Sequence, residues 1–154
     1  MMIVADMMTT ELYTLKETES VYDARKLMVE KNIRHIPILN DAGGLVGLVT
    51  QRDLFAISLS KLTDLRDEQR AEFGQSVRLR DIMTTDLSVV HEQMNLREAA
   101  LRLQAHRYGC LPVVSRGKLI GIITDSDFVA VAINLLEQLD LTEPLDLASE
   151  EDML

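Results

Sequence analysis

Gly47-Leu-Val-Thr-Gln-Arg-Asp-Leu54 and Gly121-Ile-Ile-Thr-Asp-Ser-Asp-Phe128 carry one pattern twice: a glycine, two aliphatic residues, then Thr-x-x-Asp and an apolar residue. The correspondence extends outward from them. At the same offset of 74, Gly43, Leu45 and Ala56 fall on Gly117, Leu119 and Ala130. Further upstream the offset is 75, and Asp6, Met8, Thr9, Thr10, Leu12, Glu17, Ala24 and Pro37 fall on Asp81, Met83, Thr84, Thr85, Leu87, Glu92, Ala99 and Pro112. The one-residue change lies between Asn40-Asp41-Ala42-Gly43-Gly44 and Ser115-Arg116-Gly117. Both segments are rich in turn residues, and hairpin loops tolerate such length changes. So ordered a set of matches is a tandem duplication.

Each copy predicts the same elements. Ser20-Val-Tyr-Asp23 and Asn95-Leu-Arg-Glu98 read as capping boxes, with an acceptor at the helix start and a carboxylate three residues on. Val21, Ala24, Leu27 and Met28, like Leu96, Ala99, Ala100 and Leu103, follow helical spacing and are expected to bury one face. Ile36-Pro-Ile-Leu39 and Leu45-Val-Gly-Leu-Val49 are apolar runs split by a glycine turn, the pattern of a β-hairpin, repeated at 111–114 and 119–123. A short strand is expected at 12–15 and again at 87–90. The unit is β-α-β-β-α, used twice, in a mixed α/β (α+β) fold. The first unit spans 1–57, a charged helical connector 58–76, the second unit 77–136, and an acidic tail 137–154.

Composition bounds the function. A chain of 154 residues with 47% apolar and 27% charged residues is long enough to bury a real core. No apolar run reaches the ~18 residues that span a bilayer, and the N-terminus does not read as a leader segment. The single Cys110 excludes an internal disulfide framework and fits a reducing, cytoplasmic setting. Formal charge is −9, which argues against nucleic acid as a partner. Residues 137–154 hold seven acids and no Lys or Arg, so the body is nearly neutral and the tail reads as a solvated end.

Asp-x-Met-Thr at 6–9 and 81–84, His-Ile-Pro-Ile-Leu at 35–39, Cys-Leu-Pro-Val-Val at 110–114 and the two Gly-x-x-Thr-x-x-Asp segments together resemble a cystathionine β-synthase (CBS) domain pair. The resemblance covers about residues 3–136. The segment Ile33-Arg-His-Ile-Pro37 is also similar to stand-alone CBS proteins of the acetoin-utilisation type. The resemblance implies two units packed sheet to sheet as a pseudo-two-fold pair, with two clefts between them that take adenosine-containing ligands such as AMP, ADP or ATP. It further implies that the Asp of Thr-x-x-Asp accepts from both ribose hydroxyls while the Thr holds sugar or phosphate, here Asp53 with Thr50 and Asp127 with Thr124. A carboxylate is suited to that work, because it can accept from two vicinal hydroxyls at once. The same four residues also satisfy a plain helix cap.

Arg34 and His35 stand where the family places phosphate-contacting groups. Arginine forks onto phosphate and histidine titrates near neutrality. Solvation of Arg34 and a strand-edge role for His35 are the alternative. In the second copy Gly109 and Cys110 occupy these places, so the two clefts are expected to differ. The Asp that shares Arg34's cleft is left open. Met7, Met8 and Met83 read as core filler. His91 and His106 lack partners at metal-ligand spacing, and Gly43-Gly44 is a turn rather than a phosphate loop.

The expected function is therefore a non-enzymatic regulatory module that binds an adenine nucleotide (AMP, ADP or ATP), requires no other cofactor or metal, and signals by conformational change to an effector in trans. A constitutive interaction scaffold is the rival. A homodimer is expected, because Phe128-Val-Ala-Val-Ala-Ile133 is apolar at every position and Leu135, Leu136 and Leu139 extend it. A helix packed on one core needs only a stripe. Folding of the acidic tail over that face is the alternative.

Overall fold

The structure, a computed structural model, describes residues 1–61, 67–106 and 109–142, with side chains described for 1–57, 72–106 and 109–141. The middle of the expected connector and the acidic tail beyond residue 142, with its proposed fold-back, lie outside the described residues.

Helix α1 (Val21–Lys31) starts at the expected capping box. Asp23 N–H donates to Ser20 Oγ at 3.2 Å, and Ser20 N–H donates to Asp23 Oδ2 at 3.0 Å. It stops at Asn32, whose left-handed φ of 52° turns the chain out of the helix. Strands β2 (His35–Leu39) and β3 (Leu45–Thr50) form the first hairpin, with His35 opposite Thr50. Strand β1 (Leu15–Lys16) adds to it in parallel, giving the order β1-β2-β3. Helix α2 (Gln51–Lys61) follows β3 directly, and α3 (Asp67–Ser76) packs on α1.

The second unit repeats the plan with helix α4 (Leu96–Ala105), strands β4 (Cys110–Ser115) and β5 (Lys118–Thr124), and helix α5 (Asp125–Thr142). Arg116 and Gly117 both have positive φ, 50° and 78°, as a two-residue hairpin of the primed kind requires. Two expectations are corrected here. Asn95 caps α4 through Arg97 N–H at 2.8 Å, two residues on, rather than through a box with Glu98. The strand expected at 87–90 shrinks to one parallel bridge, Val90 to Val113. The first-unit strand, expected at 12–15, lies at its end, Leu15–Lys16.

The two units exchange their leading segments. Val4 is fully buried among Leu96, Leu103, Leu111 and Ile123 of the second unit, and Val4 N–H donates to Met94 O at 2.9 Å. Leu79 is fully buried among Val21, Met28, Ile36 and Val49 of the first. The crossing strands pair Thr9 with Ile122 and Thr84 with Leu48, in both cases through two backbone hydrogen bonds of 2.9–3.0 Å. Gly47 and Gly121 make the crossing fit: Met83 of the second leading segment lies over Gly47, and Met8 of the first over Gly121, where a Cβ would be 2.7 Å from the sulfur. Met8 and Met83 thus pack against the opposite unit, as the core reading requires. Leu48, Cys110 and Ile122 form a third buried cluster. No described helix is long and apolar enough to cross a membrane.

Candidate ligand-binding cleft

Each Thr-x-x-Asp ends a hairpin strand and opens a helix. At the β3–α2 joint Thr50 N–H donates to Asp53 Oδ2 at 2.8 Å, and Asp53 N–H donates to Thr50 Oγ1 at 3.2 Å. At the β5–α5 joint Thr124 N–H donates to Asp127 Oδ2 at 2.8 Å, and the Thr124 hydroxyl lies 3.4 Å from the same oxygen. The cap weighed from the sequence is therefore reciprocal in the first copy. In the second only the bond from Thr124 N–H to the Asp127 carboxylate is made, and the Thr124 hydroxyl donates instead of accepting from the helix. In both copies the cap engages Oδ2 alone. Oδ1 of Asp127 meets only the Thr9 hydroxyl among the recorded contacts, at 3.3 Å, a long bond for two oxygens.

Asp127 lines a cleft of about 560 Å³, a size ordinary for small-molecule sites. Its walls come from three places in the chain: the leading segment (Thr9, Glu11, Tyr13), the α1–β2 joint (Lys31, Arg34, His35) and the β5–α5 joint (Thr124, Ser126, Asp127). The question left open by the sequence is answered: Arg34 shares its cleft with Asp127, across the unit boundary. Arg34 is exposed, and its guanidinium makes no hydrogen bond or ion pair among the described residues. His35 is half-buried beside it.

Thr50 and Asp53 do not line this cleft. Thr84 pairs with Leu48 next to them, as Thr9 pairs with Ile122 next to Thr124, so they stand at the pseudo-symmetric position. Gly109 and Cys110 are not brought to Arg34's cleft either. Gly109 has φ +64° and lies against Asp125, whose Oδ2 would be 2.5 Å from an added Cβ. Cys110 is fully buried, so any contact it offers a ligand is through its backbone. Burial, and secondarily the charges of Asp127 and Asp125, push its thiol pKa well up, which keeps it protonated and unreactive.

Several lining residues are not legible in the sequence, among them Thr9, Tyr13 and Lys31. Thr9 sat in the quoted Asp-x-Met-Thr motif, and that was the available signal. Tyr13 and Lys31 had none, because the second copy places Ser88 and His106 at their positions. The Tyr13 hydroxyl donates to Glu11 Oε1 at 2.8 Å, and the Lys31 ammonium lies 5.3 Å from its ring centroid.

Two repeats of one helix-and-hairpin plan, the first with a three-stranded sheet and the second with a two-stranded one, exchange leading segments and share a cleft, which defines a paired-repeat module. Residues 4–60 and 79–134 each match the CBS domain, and the chain belongs to the CBS domain family. It is similar to an acetoin utilization protein (AcuB) from Vibrio cholerae, with 43% identity, a TM-score of 0.74 and coverage of 91% of this chain and 96% of that one. It is also similar to CBSX2 of Arabidopsis thaliana, whose structure in complex with AMP gives 34% identity and a TM-score of 0.70 over 86% of this chain and 97% of that one. The CBS pair of MJ0100, solved with 5′-methylthioadenosine and S-adenosyl-L-methionine, gives 25% identity and a TM-score of 0.71 over 86% and 97%. Among curated sequences, the uncharacterized protein MJ1225 of Methanocaldococcus jannaschii is 30% identical over 97% of this chain, which spans about half, 51%, of that protein. A homoserine O-acetyltransferase of Methanococcoides burtonii is 35% identical, but this chain spans only 23% of it.

Proposed function

We propose that this chain is a regulatory CBS pair that binds an adenosine-containing ligand in the cleft of Asp127 and Arg34. One observation carries the reading: a carboxylate whose second oxygen has only a long 3.3 Å contact with the Thr9 hydroxyl lines the same cavity as an arginine with no side-chain partner among the described residues. Thr124 and the N-terminus of α5 supply further donors for phosphate oxygens. AMP bound to CBSX2, and the two adenosine derivatives bound to MJ0100, support this ligand class. Asp53 and Thr50 serve the pseudo-symmetric cleft, with Gly109 and Cys110 contributing backbone, and that cleft is the poorer one for a phosphorylated ligand.

The module is not itself an enzyme. Its ligand shifts the population between relative placements of the units, and an effector acting in trans reads the difference. It works as a homodimer built on α5, where Val129, Ile133, Leu136 and Leu139 are each more than half exposed. The test is a thermal-shift series with AMP, ADP, ATP, S-adenosylmethionine and NAD. A ligand at ~100 times its Kd adds roughly 2.7 kcal/mol, which raises the midpoint by several degrees at this chain length. Flat curves across the series favour the scaffold reading, to which the apolar face of α5 already points.

A further inference from the structure

The charges around the cleft are unevenly committed. Three carboxylates line it: Asp127 is held in its cap and touches Thr9, Glu11 accepts from the Tyr13 hydroxyl, and Asp125 lies beside Gly109. The ion pairs recorded among the described residues, Lys16 with Asp41 and Lys26 with Glu30, lie elsewhere. Lys31 and Arg34 therefore border one cavity with no acidic partner among the described residues. Two permanent cations facing the same space are relieved by a multivalent anion more than by a single charge.

Local backbone explains why they share a wall. Lys31 is the last residue of α1, Asn32 turns the chain with its φ of 52°, and Arg34 follows before β2 begins. Tyr13 then fixes the lysine. Its phenol is tied to Glu11, and its ring holds the ammonium at 5.3 Å. A cation–π contact at an exposed site is weaker than an ammonium–phosphate hydrogen bond, so a phosphate within reach draws Lys31 off the ring.

We propose that Lys31, held on Tyr13, is the specificity-determining residue of this cleft and makes it select nucleoside di- and triphosphates over monophosphates. Arg34 takes the phosphate nearest the ribose, and Lys31 takes the next one. A monophosphate ends at Arg34 and leaves the ammonium on the ring. This inference rests on the adenosine reading above and goes beyond it by fixing the length of the anionic tail.

The experiment is isothermal titration of the full chain with AMP, ADP and ATP, using wild type, Lys31→Ala and Lys31→Arg. The wild type binds ADP and ATP more tightly than AMP. Lys31→Ala weakens ADP and ATP by about 10- to 100-fold and AMP by under about threefold, while Lys31→Arg keeps the preference. A second readout needs no variant: the Lys31 ε-methylene proton resonance, shifted upfield by the Tyr13 ring, moves downfield with ADP and stays with AMP. Equal losses for all three nucleotides, or no loss, or a static Lys31 resonance, with AMP still bound, overturns the selector and leaves the adenosine reading standing. Absence of binding by all three overturns the selector, and the thermal-shift series with S-adenosylmethionine and NAD then decides the adenosine reading separately.

Discussion

Asp127→Asn separates the two roles of one side chain. In the wild type Oδ2 accepts from Thr124 N–H at 2.8 Å, while Oδ1 has only a 3.3 Å contact with the Thr9 hydroxyl. Asparagine keeps one carbonyl oxygen for the cap, so the change in stability stays under about 1 kcal/mol, against about 0.5–2 kcal/mol when the cap is removed by alanine. At 2–4 °C per kcal/mol, asparagine lowers the melting midpoint by no more than roughly 4 °C. Binding responds differently. The amide replaces the acceptor that faces the ligand with a neutral group, and a hydrogen bond to a charged group contributes about 1.5–3 kcal/mol. Affinity for an adenosine ligand therefore falls about 10- to 100-fold while the fold persists. Scanning calorimetry without ligand reads the first quantity and isothermal titration the second. An asparagine variant that binds as tightly as wild type refutes the reasoning, since the carboxylate would then be a cap and nothing more.

The exchange of leading segments predicts where damage appears. Leu79→Ala removes a fully buried side chain and costs about 2–5 kcal/mol; hydrogen exchange then shows protection lost first in β2 and β3 of the other unit, and loss confined to the second unit would contradict the exchange. Cys110 resists thiol reagents until the chain unfolds. Its raised pKa means the native state keeps the proton where the unfolded state loses it, so this contribution is intact below about pH 8.5 and stability falls as pH rises further; denaturant midpoints that hold steady from pH 8 to 10 would count against it. Ile133→Glu places a charge on the exposed face of α5 and converts a dimer to a monomer in light scattering, whereas an unchanged mass shows that α5 is not the interface.

The readable part of this protein was local or repetitive. Ser20 and Asp23 cap a helix because the groups that bond are three residues apart, and the hairpins follow from apolar runs around Gly43 and Gly117. Asn95 shows the limit of such rules: its side chain reaches the nearer Arg97 N–H, and the Glu98 box is not used. The strand at 87–90 failed for a related reason. Apolar alternation marks residues fit to pair, but the second sheet engages Val90 alone. Of the cleft, Arg34, His35, Thr124 and Asp127 are legible in the sequence, while Tyr13 and Lys31 are not, because comparison of the two copies rewards what they share.

By itself the amino-acid sequence determined the duplication, the order of elements in each unit and the Thr-x-x-Asp caps, since these depend on spacing within a few residues or on similarity between copies. Only the tertiary structure decided that Val4 belongs to the core of the second unit and Leu79 to that of the first, and that Arg34 and Asp127 line one cleft. A repeat pattern is indifferent to which copy a segment packs on, because either copy offers the same apolar groove. The choice is made by backbone pairing across the molecule, Thr9 with Ile122 and Thr84 with Leu48, which no periodicity along the chain records.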